Sequence, residues 1–552
     1  MNTIKIFCIN TSTHHEVPAG SSLKEIYLQL GICLPFLCTG AKVNNRTESL
    51  CYLVFRPKDI EFIDISSEPG MRIYIRSLCF LLGMATNDIL PKSRLRIEYH
   101  ISNGYFCQIN NHQKISENTI SKIKARMLEI ISMNKNFNLE ETHTEDVIEI
   151  FNSMGQKDKV ALLKTSNQTY SYYYHLDGYY DYHYGALLSS TSDIYLFDLI
   201  SYKDGMLLVP PCRWNPTINQ PQKVQDKLHK TLSEYKGYNY ISGLSNVGNM
   251  NELIIKGQQS AMILVSEALQ EKKLATIADE IAQRGNVRMI LIAGPSSSGK
   301  TTFAKRLSIQ LMTNMLRPLA ISLDDYFLSR DNTPLDEYGN KDYESLYALD
   351  LDLFNSDLQK LLNGDEINLP TFNFEKGERE YKGNKLKLKP DNILILEGIH
   401  GLNPTLTAQI PESCKYKIYV STLTTINLDD HNWIPSTDNR LIRRIVRDKQ
   451  FRGTSASETI ARWPSVRAGE DKWIFPYQEL ADTMFNSAML YELSVLKESA
   501  ENVLRQVPKA SNEYAEAYRL LRFLSYFKPI VKTDIPRTSL LREFLGGSRF
   551  HN

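Results

Sequence analysis

One short segment combines glycine, hydroxyl and lysine residues at the spacing that phosphate binding requires. Residues 294–301 read GPSSSGKT and match G-x-x-x-x-G-K-[ST] at every fixed position. The glycines let the backbone turn tightly, so that successive N–H groups face a phosphate at a helix N-terminus. We expect Lys300 to reach the β- and γ-phosphates of a nucleotide, and the Thr301 hydroxyl to bind Mg²⁺. The alternative is an ordinary glycine turn between a strand and a helix.

The segments that flank residues 294–301 have the patterns of a strand and a helix. VRMILIAG is a β-branched apolar run, typical of a buried parallel strand, and TTFAKRLSIQLM has helical periodicity. From there strand-like and helix-like segments alternate to about residue 490, which indicates a doubly wound α/β fold. In such a sheet the carboxyl ends of the strands line the ligand crevice.

Two further predicted strands end in carboxylates at that edge. LAISL ends at Asp324 and Asp325, and NILILEG ends at Glu397. A carboxylate there can accept the proton of an attacking hydroxyl or hold the magnesium shell. A single acidic residue after a strand is often only a helix cap, but two beside a phosphate-binding loop favour a functional role.

A group of arginines follows at helical spacing. The set is Arg440, Arg443, Arg444, Arg447 and, just beyond them, Arg452. The first four stand at i, i+3, i+4 and i+7, so they share one face of a helix. Like charges stacked in this way repel each other unless an anion compensates them, and in phosphoryl transfer that anion is the nucleotide phosphate. A solvated basic face is the alternative.

Together these residues resemble the uridine kinase and phosphoribulokinase family of P-loop kinases over roughly residues 286–490. The segments ISLDDYF, NKDYESLYALD, LPTFNFEKGER, ILEGIHG and DNRLIRRIVRDKQFRG are similar to successive motifs of that family. The resemblance implies an α/β P-loop kinase with a parallel sheet, which uses ATP with Mg²⁺ as its cofactor. It also implies that the acceptor is a small nucleoside-like molecule.

The resemblance carries roles to individual residues of this chain. It implies that Asp324 is the catalytic base and acts with Lys300. The implied ATP-binding residues are Gly294, Ser296, Ser297, Ser298, Gly299, Lys300, Thr301 and Thr302, with Arg444, Arg447 and Arg452 on the lid. The implied acceptor-binding residues are Asp342, Phe372, Phe374 and Arg379, and the implied magnesium site is made by Thr301, Asp324 and Glu397.

Several positions depart from the pattern of uridine kinases. Gly377 stands where those enzymes usually carry a base-reading histidine, Phe372 replaces a tyrosine, and Thr454 replaces a further lid arginine. Residues 424–437 resemble an insertion ahead of the lid helix. A site that hydrogen-bonds a base discriminates strongly, so the loss of one reader can relax or change the choice of acceptor. The departures therefore leave uracil recognition open.

The N-terminal half resembles a different family. Residues 1–62 alternate short strands with one helix, SSLKEIYLQLG, and look like the α+β TGS domain, a β-grasp module at the front of threonyl-tRNA synthetases. Residues 63–212 resemble the second additional domain that follows it there, on the segments RSLCFLLG, YHISNGYFCQI and GYYDYHYGALL. This resemblance implies RNA contact by the N-terminal half as one function, beside regulatory and purely structural ones.

The editing residues of that second domain are largely replaced. Arg76 and Phe80 stand in place of its first histidine pair and Tyr179 in place of its cysteine, so that only His183 remains. One histidine cannot hold a metal or perform the editing hydrolysis, and we predict that this activity is absent. The tyrosine-rich residues 170–184 contain no lysine or arginine, which favours packing of tyrosines in a sheet over base stacking.

Length and composition limit the number of domains, the general affinity for nucleic acid and the expected location of the protein. The chain has 552 residues and a net charge of +1, which predicts several domains and no general affinity for nucleic acid. We expect a cytoplasmic protein, because it lacks a signal-peptide pattern and a spanning apolar run, and its eight cysteines form no C-x-x-C. The predicted domains are 1–62, 63–212, a helical linker at 213–285, a kinase domain at 286–490 and a helical C-terminal extension at 491–552.

The sequence favours phosphorylation of a nucleoside 5′-hydroxyl, with two alternatives. The first is a kinase for another small hydroxyl compound, such as pantothenate, a sugar phosphate or an unusual nucleoside. The second is an RNA-binding regulator that uses ATP as a switch, which would need a basic surface on residues 1–210 that the sequence does not display as a run. The oligomeric state is left open, with a homo-oligomer as one expectation.

Overall fold

The computed structural model describes residues 2–109, 114–337 and 339–550. Its first group of elements consists of β1 (Thr3–Cys8), β2 (Thr13–Pro18), β3 (Ser21–Ser22), α1 (Leu23–Leu30), β4 (Cys38–Val43), β5 (Arg46–Glu48), β6 (Leu53–Val54) and β7 (Asp59–Asp64). Five of the strands form a mixed sheet in the order β2-β1-β7-β4-β5, with β1 parallel to β7. Helix α1 begins at a capping box made by Ser22 and Glu25 and ends at Gly31, whose φ of 57° is left-handed.

The second group is built around one long buried helix. Its elements are α2 (Glu68–Ile89), β8 (Leu95–Ile101), β9 (Gly104–Ile109), α3 (Glu117–Ser132), β10 (Asn138–His143), α4 (Thr144–Ser153), α5 (Lys157–Lys164), β11 (Tyr170–Leu176), β12 (Tyr179–Asp181), β13 (Asp198–Tyr202) and β14 (Gly205–Val209). The strands form two sheets, β13-β14-β9-β8 and β10-β11-β12. Strands β11 and β12 carry most of the tyrosine-rich segment, and four of its eight tyrosines are buried in the core: Tyr173, Tyr174, Tyr179 and Tyr182.

The four residues that the sequence analysis compared with editing residues of synthetases lie on α2 or close to it. The Phe80 ring packs edge-on against Tyr179, with 5.2 Å between centroids, and lies 6.2 Å from the His183 ring. Arg76 lies one turn earlier on the same helix. Across the described ranges no three His, Cys, Asp or Glu side chains group as a metal site would require.

The third group differs from the helical linker that the sequence predicted at 213–285. It begins with a hairpin and continues with helices: β15 (Pro211–Cys212), β16 (Asn215–Asn219), α6 (Asp226–Ile241), α7 (Val247–Ile255) and α8 (Gln259–Arg284). Prolines 211, 216 and 221 explain why this stretch is not helical, because proline has no backbone N–H to donate inside a helix. Helix α8 ends at Gly285, in left-handed conformation with φ of 66°.

The fourth group contains the parallel sheet that the sequence predicted, and this sheet has five strands. Its elements are β17 (Met289–Ala293), α9 (Lys300–Thr313), β18 (Arg317–Ser322), α10 (Leu351–Leu362), β19 (Glu366–Asn373), β20 (Glu378–Lys387), β21 (Asn392–Glu397), β22 (Lys415–Ser421), α11 (Ser436–Arg452), α12 (Ala456–Trp473) and β23 (Thr483–Asn486). The sheet order is β18-β21-β17-β22-β23, and every neighbouring pair is parallel. The hairpin β19–β20 stands apart from the sheet. The chain ends in α13 (Glu492–Leu504), α14 (Tyr514–Leu524) and α15 (Arg542–Leu545).

The loop that precedes α11 joins the two halves of the chain through buried charges. Lys159 of α5 is 1% exposed, and its Nζ lies 3.1 Å from Asp181 and 3.3 Å from Asp429. His431 reaches the same Asp181 carboxylate, with its Nδ1 2.7 Å away. The Asn427 amide donates to the Ile97 carbonyl oxygen at 2.8 Å. Residues 424–437, the predicted insertion, therefore anchor the lid helix to the N-terminal half.

No helix in the described part of the chain is both long enough and apolar enough to cross a bilayer.

The contact between His431 and Asp181 predicts a pH dependence of stability. Burial alone would lower the pKa of His431, but the Asp181 carboxylate outweighs it and raises the pKa above the ordinary 6.5. Lys159 and Asp429 also face the ring and act in opposite directions. Because the folded pKa is raised, this contribution is fully present below pH 6.5 and is lost as pH rises through the folded pKa.

We expect the thermal midpoint of the wild type to fall as the pH rises from about 6 through the raised pKa of His431, by about 2–4 °C per kcal/mol lost. His431→Gln should lower the midpoint at pH 6 and flatten the profile. The control is His14→Gln, at an exposed ring of the same residue type. Parallel pH profiles for all three proteins would contradict the assignment of this ion pair.

Candidate active site

The phosphate-binding loop lies between β17 and α9, and its glycines are required by close packing. A Cβ atom on Gly294 would lie 1.9 Å from the Val420 carbonyl oxygen, and Gly299 has a left-handed φ of 84°. The side-chain oxygens of Ser297 and Ser298 are buried without a hydrogen-bond partner among the described residues. Buried hydroxyls of this kind are costly unless a ligand satisfies them, so they fit a phosphate.

The predicted magnesium residues meet where β17, β18 and β21 end. Thr301 donates from Oγ1 to Glu397 Oε1 at 3.0 Å, and Ser322 contacts the same oxygen at 3.4 Å. Burial and the nearby Asp324 carboxylate raise the pKa of Glu397 to about 7, while Lys300 opposes that shift. The carboxylates of Glu397 and Asp324 and the Thr301 hydroxyl together form a set of hard oxygen donors. This set fits Mg²⁺, which takes a few protein oxygens and completes its shell with water and phosphate.

Glu344 is a site residue that the sequence reasoning missed. It lies in the loop before α10, and its Oε2 atom is buried with no hydrogen-bond partner in the described part of the chain. Burial raises the pKa of Glu344 to about 7, and the charges of Arg444, Lys300 and Asp324 also act on it. Glu344 stands in NKDYESLYALD where the similar family motif has proline, and that difference was the available signal.

The three predicted lid arginines share a single carboxylate. Arg444 lies 3.3 Å from Asp448, Arg447 lies 2.8 Å from it and Arg452 lies 3.7 Å from it. Burial and the neighbouring Arg447 lower the pKa of Arg452 to about 10, and the same two causes lower the pKa of Arg444. Arg444 also donates to the Ser296 hydroxyl at 3.0 Å. Three guanidinium groups with one counter-ion leave a positive charge beside the loop, which suits a polyphosphate.

The first two arginines of the helix are neutralised inside the protein. Arg440 pairs with Glu470 and donates from Nε to the Ser296 carbonyl oxygen at 2.9 Å. Arg443 is fully buried, pairs with Glu492 and reaches the Ser297 carbonyl oxygen at 3.4 Å. The expectation that phosphate compensates the whole row is therefore wrong for these two. Glutamates distant in sequence supply their counter-charges. Both arginines hold the loop through hydrogen bonds to its backbone carbonyl oxygens.

Three of the predicted acceptor residues, Phe372, Phe374 and Arg379, lie in or beside the hairpin β19–β20, and the fourth, Asp342, lies in the loop before α10. The Phe372 and Phe374 rings are 5.1 Å apart, and the Arg452 guanidinium lies 4.9 Å from the Phe374 centroid. Asp342 accepts from the Glu344 N–H at 3.2 Å, which ties it to the loop before α10. Arg379 is engaged with the Asp350 carboxylate at 3.0 Å. It therefore holds the hairpin against the core.

Gly377 has a structural reason to be glycine. Its φ is 75°, and a Cβ atom there would lie 2.4 Å from Cδ of Arg330. The Arg330 side chain thus fills the space that a larger residue at position 377 would enter. At the position that the resemblance aligns with a histidine, the neighbouring space is therefore occupied by an arginine from another loop.

A carboxylate from the C-terminal extension also reaches the loop, although no motif indicated this contact. Glu543 of α15 accepts hydrogen bonds from Thr302, from its backbone N–H at 3.2 Å and from its hydroxyl at 2.7 Å. Leu540 packs against Gly299, where a Cβ atom would lie 2.5 Å from Cδ2 of the leucine. Backbone N–H groups of such loops cradle the α- and β-phosphates of a nucleotide. Glu543 therefore occupies a donor that a nucleotide would use.

The comparisons with known proteins agree with this geometry. Residues 289–493 match the model of the phosphoribulokinase / uridine kinase family. A uridine kinase from Brevibacillus brevis is 28% identical over 42% of this chain and 99% of its own length. A uridine kinase from Mycoplasma genitalium is 32% identical over 33% of this chain and 75% of its own length, and one from Staphylococcus aureus is 30% identical over 35% and 84%.

The position of Glu543 leads to a prediction for nucleotide affinity. A carboxylate beside the α-phosphate opposes ATP binding by roughly 1 kcal/mol or more, so Glu543→Gln should lower the KM for ATP about fivefold or more. Glutamine can still accept the hydrogen bonds from Thr302. The matched control is Glu498→Gln, which makes the same charge change at an exposed residue of α13. An unchanged or higher KM for ATP in Glu543→Gln would contradict the prediction.

Proposed function

Because this chain belongs to the phosphoribulokinase / uridine kinase family and is a phosphotransferase, we propose that it transfers the γ-phosphate of ATP to the 5′-hydroxyl of a nucleoside. The observation that carries the proposal is the meeting of Lys300, Asp324 and Glu397 at one sheet edge, beside lid arginines with a surplus of positive charge. Positioning and charge compensation are the main requirements of phosphoryl transfer, and these residues supply both.

In the proposed mechanism the chain binds and orients both substrates. The N–H groups of residues 294–301 and Lys300 hold the phosphates, and Asp324 accepts the proton of the acceptor hydroxyl. The hydroxyl oxygen then bonds to the γ-phosphorus as the bond to the β-phosphate oxygen breaks and ADP leaves. Lys300 and the lid arginines offset the negative charge that develops. Mg²⁺, held by Thr301, Glu397 and Asp324, would supply charge neutralisation on the β- and γ-phosphates.

The acceptor site is the second part of the proposal. Asp342 accepts from the sugar hydroxyls, and Phe372 and Phe374 flank the base. Arg379 supports this site by holding the hairpin in place. The 5.1 Å separation of the two phenylalanine rings, with Phe374 partly exposed, supports an aromatic wall that a flat base can contact.

A second candidate is a kinase for another small hydroxyl compound. Glu344 favours it, because an unpartnered carboxyl group in the cleft can recognise a donor that uridine does not present. The Arg330 side chain beside Gly377 favours it as well, since the usual base-reading position is filled differently.

We further propose that the N-terminal half descends from the TGS and second additional domains. The mixed sheet with parallel β1 and β7 supports a β-grasp module, and the meeting of Phe80, Tyr179 and His183 supports the second domain. RNA contact is part of this proposal. Filter binding of labelled tRNA to the full chain tests it, and retention no better than for serum albumin would remove the RNA part.

The first experiment measures ATP consumption by the full chain against a panel of acceptors. The panel contains the common ribo- and deoxyribonucleosides, pantothenate and sugar phosphates. Turnover with uridine or cytidine is the expected result. Turnover with a different acceptor alone would select the second candidate, and no turnover with any member would remove both.

The assignment of Asp324 as base predicts a selective loss of turnover. Asp324→Asn should lower kcat by about 10²–10⁴-fold, as expected for loss of a general base, while ATP still binds. The control is Asp352→Asn, at an exposed residue of α10. Turnover near the wild-type rate in Asp324→Asn would show that another group takes the proton.

A further inference from the structure

A cavity of about 330 Å³ lies beside strands β4 and β5, where four further regions of the chain meet, and the phosphate-binding loop does not line it. Helix α2, the loop after β12, helix α12 and helix α14 all contribute to its lining. Five basic side chains and three acidic ones face it, together with the rings of Tyr184, Trp463 and Tyr518. Its volume is in the range of sites for small organic ligands.

Arg76 is the unusual member of the lining. It is 8% exposed, and its Nη1 donates to the Ala186 carbonyl oxygen at 3.3 Å. Its guanidinium lies 5.3 Å from the Tyr184 ring centroid. Among the residues that the structure describes, no carboxylate lies within 4 Å of it. A buried guanidinium without a counter-ion is costly, and an anion in the cavity would supply the missing charge.

The surroundings of Arg76 are shaped to keep the guanidinium at the cavity. A Cβ atom on Gly185 would lie 2.5 Å from its central carbon, so glycine is needed for this close approach. Burial lowers the pKa of Arg76, and the like charges of Arg72 and Arg519 lower it further. Those two neighbours have their own carboxylate, Glu516, at 2.9 and 2.5 Å. In the described part of the chain the positive charge of Arg76, unlike those of Arg72 and Arg519, is not balanced by a carboxylate within 4 Å.

We propose that this cavity binds a small organic phosphate, with the phosphate group on Arg76 and the organic part against Trp463 and Tyr184. Arginine binds phosphate with several charge-assisted hydrogen bonds, and aromatic rings bind the faces and edges of a flat or apolar group. Arg522, an exposed residue of α14 that lines the cavity, adds a second guanidinium without a carboxylate within 4 Å in the described ranges.

Two contacts connect this site to the lid helix. Arg519, in the lining, pairs with Asp438 in the first turn of α11 at 2.7 Å. The Trp463 ring lies 5.3 Å from the Arg440 guanidinium, which bonds the Ser296 carbonyl oxygen of the phosphate-binding loop. A ligand that moves Trp463 or draws Arg519 away from Asp438 changes the support of α11. The site therefore regulates ATP affinity.

The test is isothermal titration of the full chain with uridine 5′-monophosphate and, separately, with inorganic phosphate, each in the presence of saturating uridine, which occupies the proposed acceptor site. The variants are Arg76→Met, which keeps an unbranched side chain but removes the charge, and Arg522→Gln at the exposed rim. Arg56→Met is the charge-matched control at an exposed residue of the N-terminal half. Lys300→Ala removes phosphate binding at the loop, so that the two sites are counted separately.

We expect Lys300→Ala to retain one binding equivalent that Arg76→Met weakens at least tenfold and Arg522→Gln weakens about threefold, with Arg56→Met unchanged. Binding of the nucleotide alone supports an organic phosphate, and equal binding of inorganic phosphate identifies the anion as the recognised part. The proposal would be overturned if adding Arg76→Met or Arg522→Gln to Lys300→Ala left the ligand affinity unchanged. It would also be overturned if Lys300→Ala alone bound no ligand.

The regulatory part has its own readout. Saturating ligand should shift the KM for ATP about fivefold in the wild type and leave it unshifted in Arg76→Met. If the wild type bound the ligand without any shift in its KM for ATP, the proposed regulation would be overturned, whereas the proposed binding site would stand. A kinase with a different acceptor would leave the binding equivalent unchanged, so failure of the proposed function is distinguishable from failure of this site.

Discussion

The arrangement of the whole chain depends on the buried ion group of Lys159, Asp181 and Asp429, to which His431 adds a second contact. Each of these charges would be strongly destabilising alone in the interior, and together they satisfy one another only when both halves of the chain are in place. The segment that carries Asp429 and His431 leads directly into the lid helix α11. The arginines that face the phosphate-binding loop are therefore held, through this segment, by the N-terminal half.

Much of the fold and site near the loop could be predicted from sequence because the responsible patterns are local. Residues 294–301 form a loop between a strand and a helix, and Asp324 and Glu397 follow neighbouring parallel strands, as the alternation of elements required. The spacing of the arginines also placed Arg444 and Arg447 correctly on one helix. In each case the chemistry lies within a few residues of the pattern that predicts it.

The remaining features required contacts between distant parts of the chain. The counter-charges Glu470 and Glu492 lie 30 and 49 residues from their arginines, and Glu543 reaches Thr302 across 241 residues. No periodicity or motif encodes such pairs, because each depends on how whole helices pack. The hairpin at β15 and β16 was missed for a different reason, since the helical pattern farther along was extended over prolines that exclude helix.

One continuous apolar core contains side chains from Val147 to Leu545, so the parallel sheet shares its interior with α4, α5, α7, α8 and the C-terminal helices. A fragment cut at residues 286 and 490 would carry every predicted catalytic group yet leave much of this interior open to water. The catalytic segment of this chain therefore depends on the flanking segments for burial of its apolar surface, and we expect it not to fold stably when transferred alone to another protein.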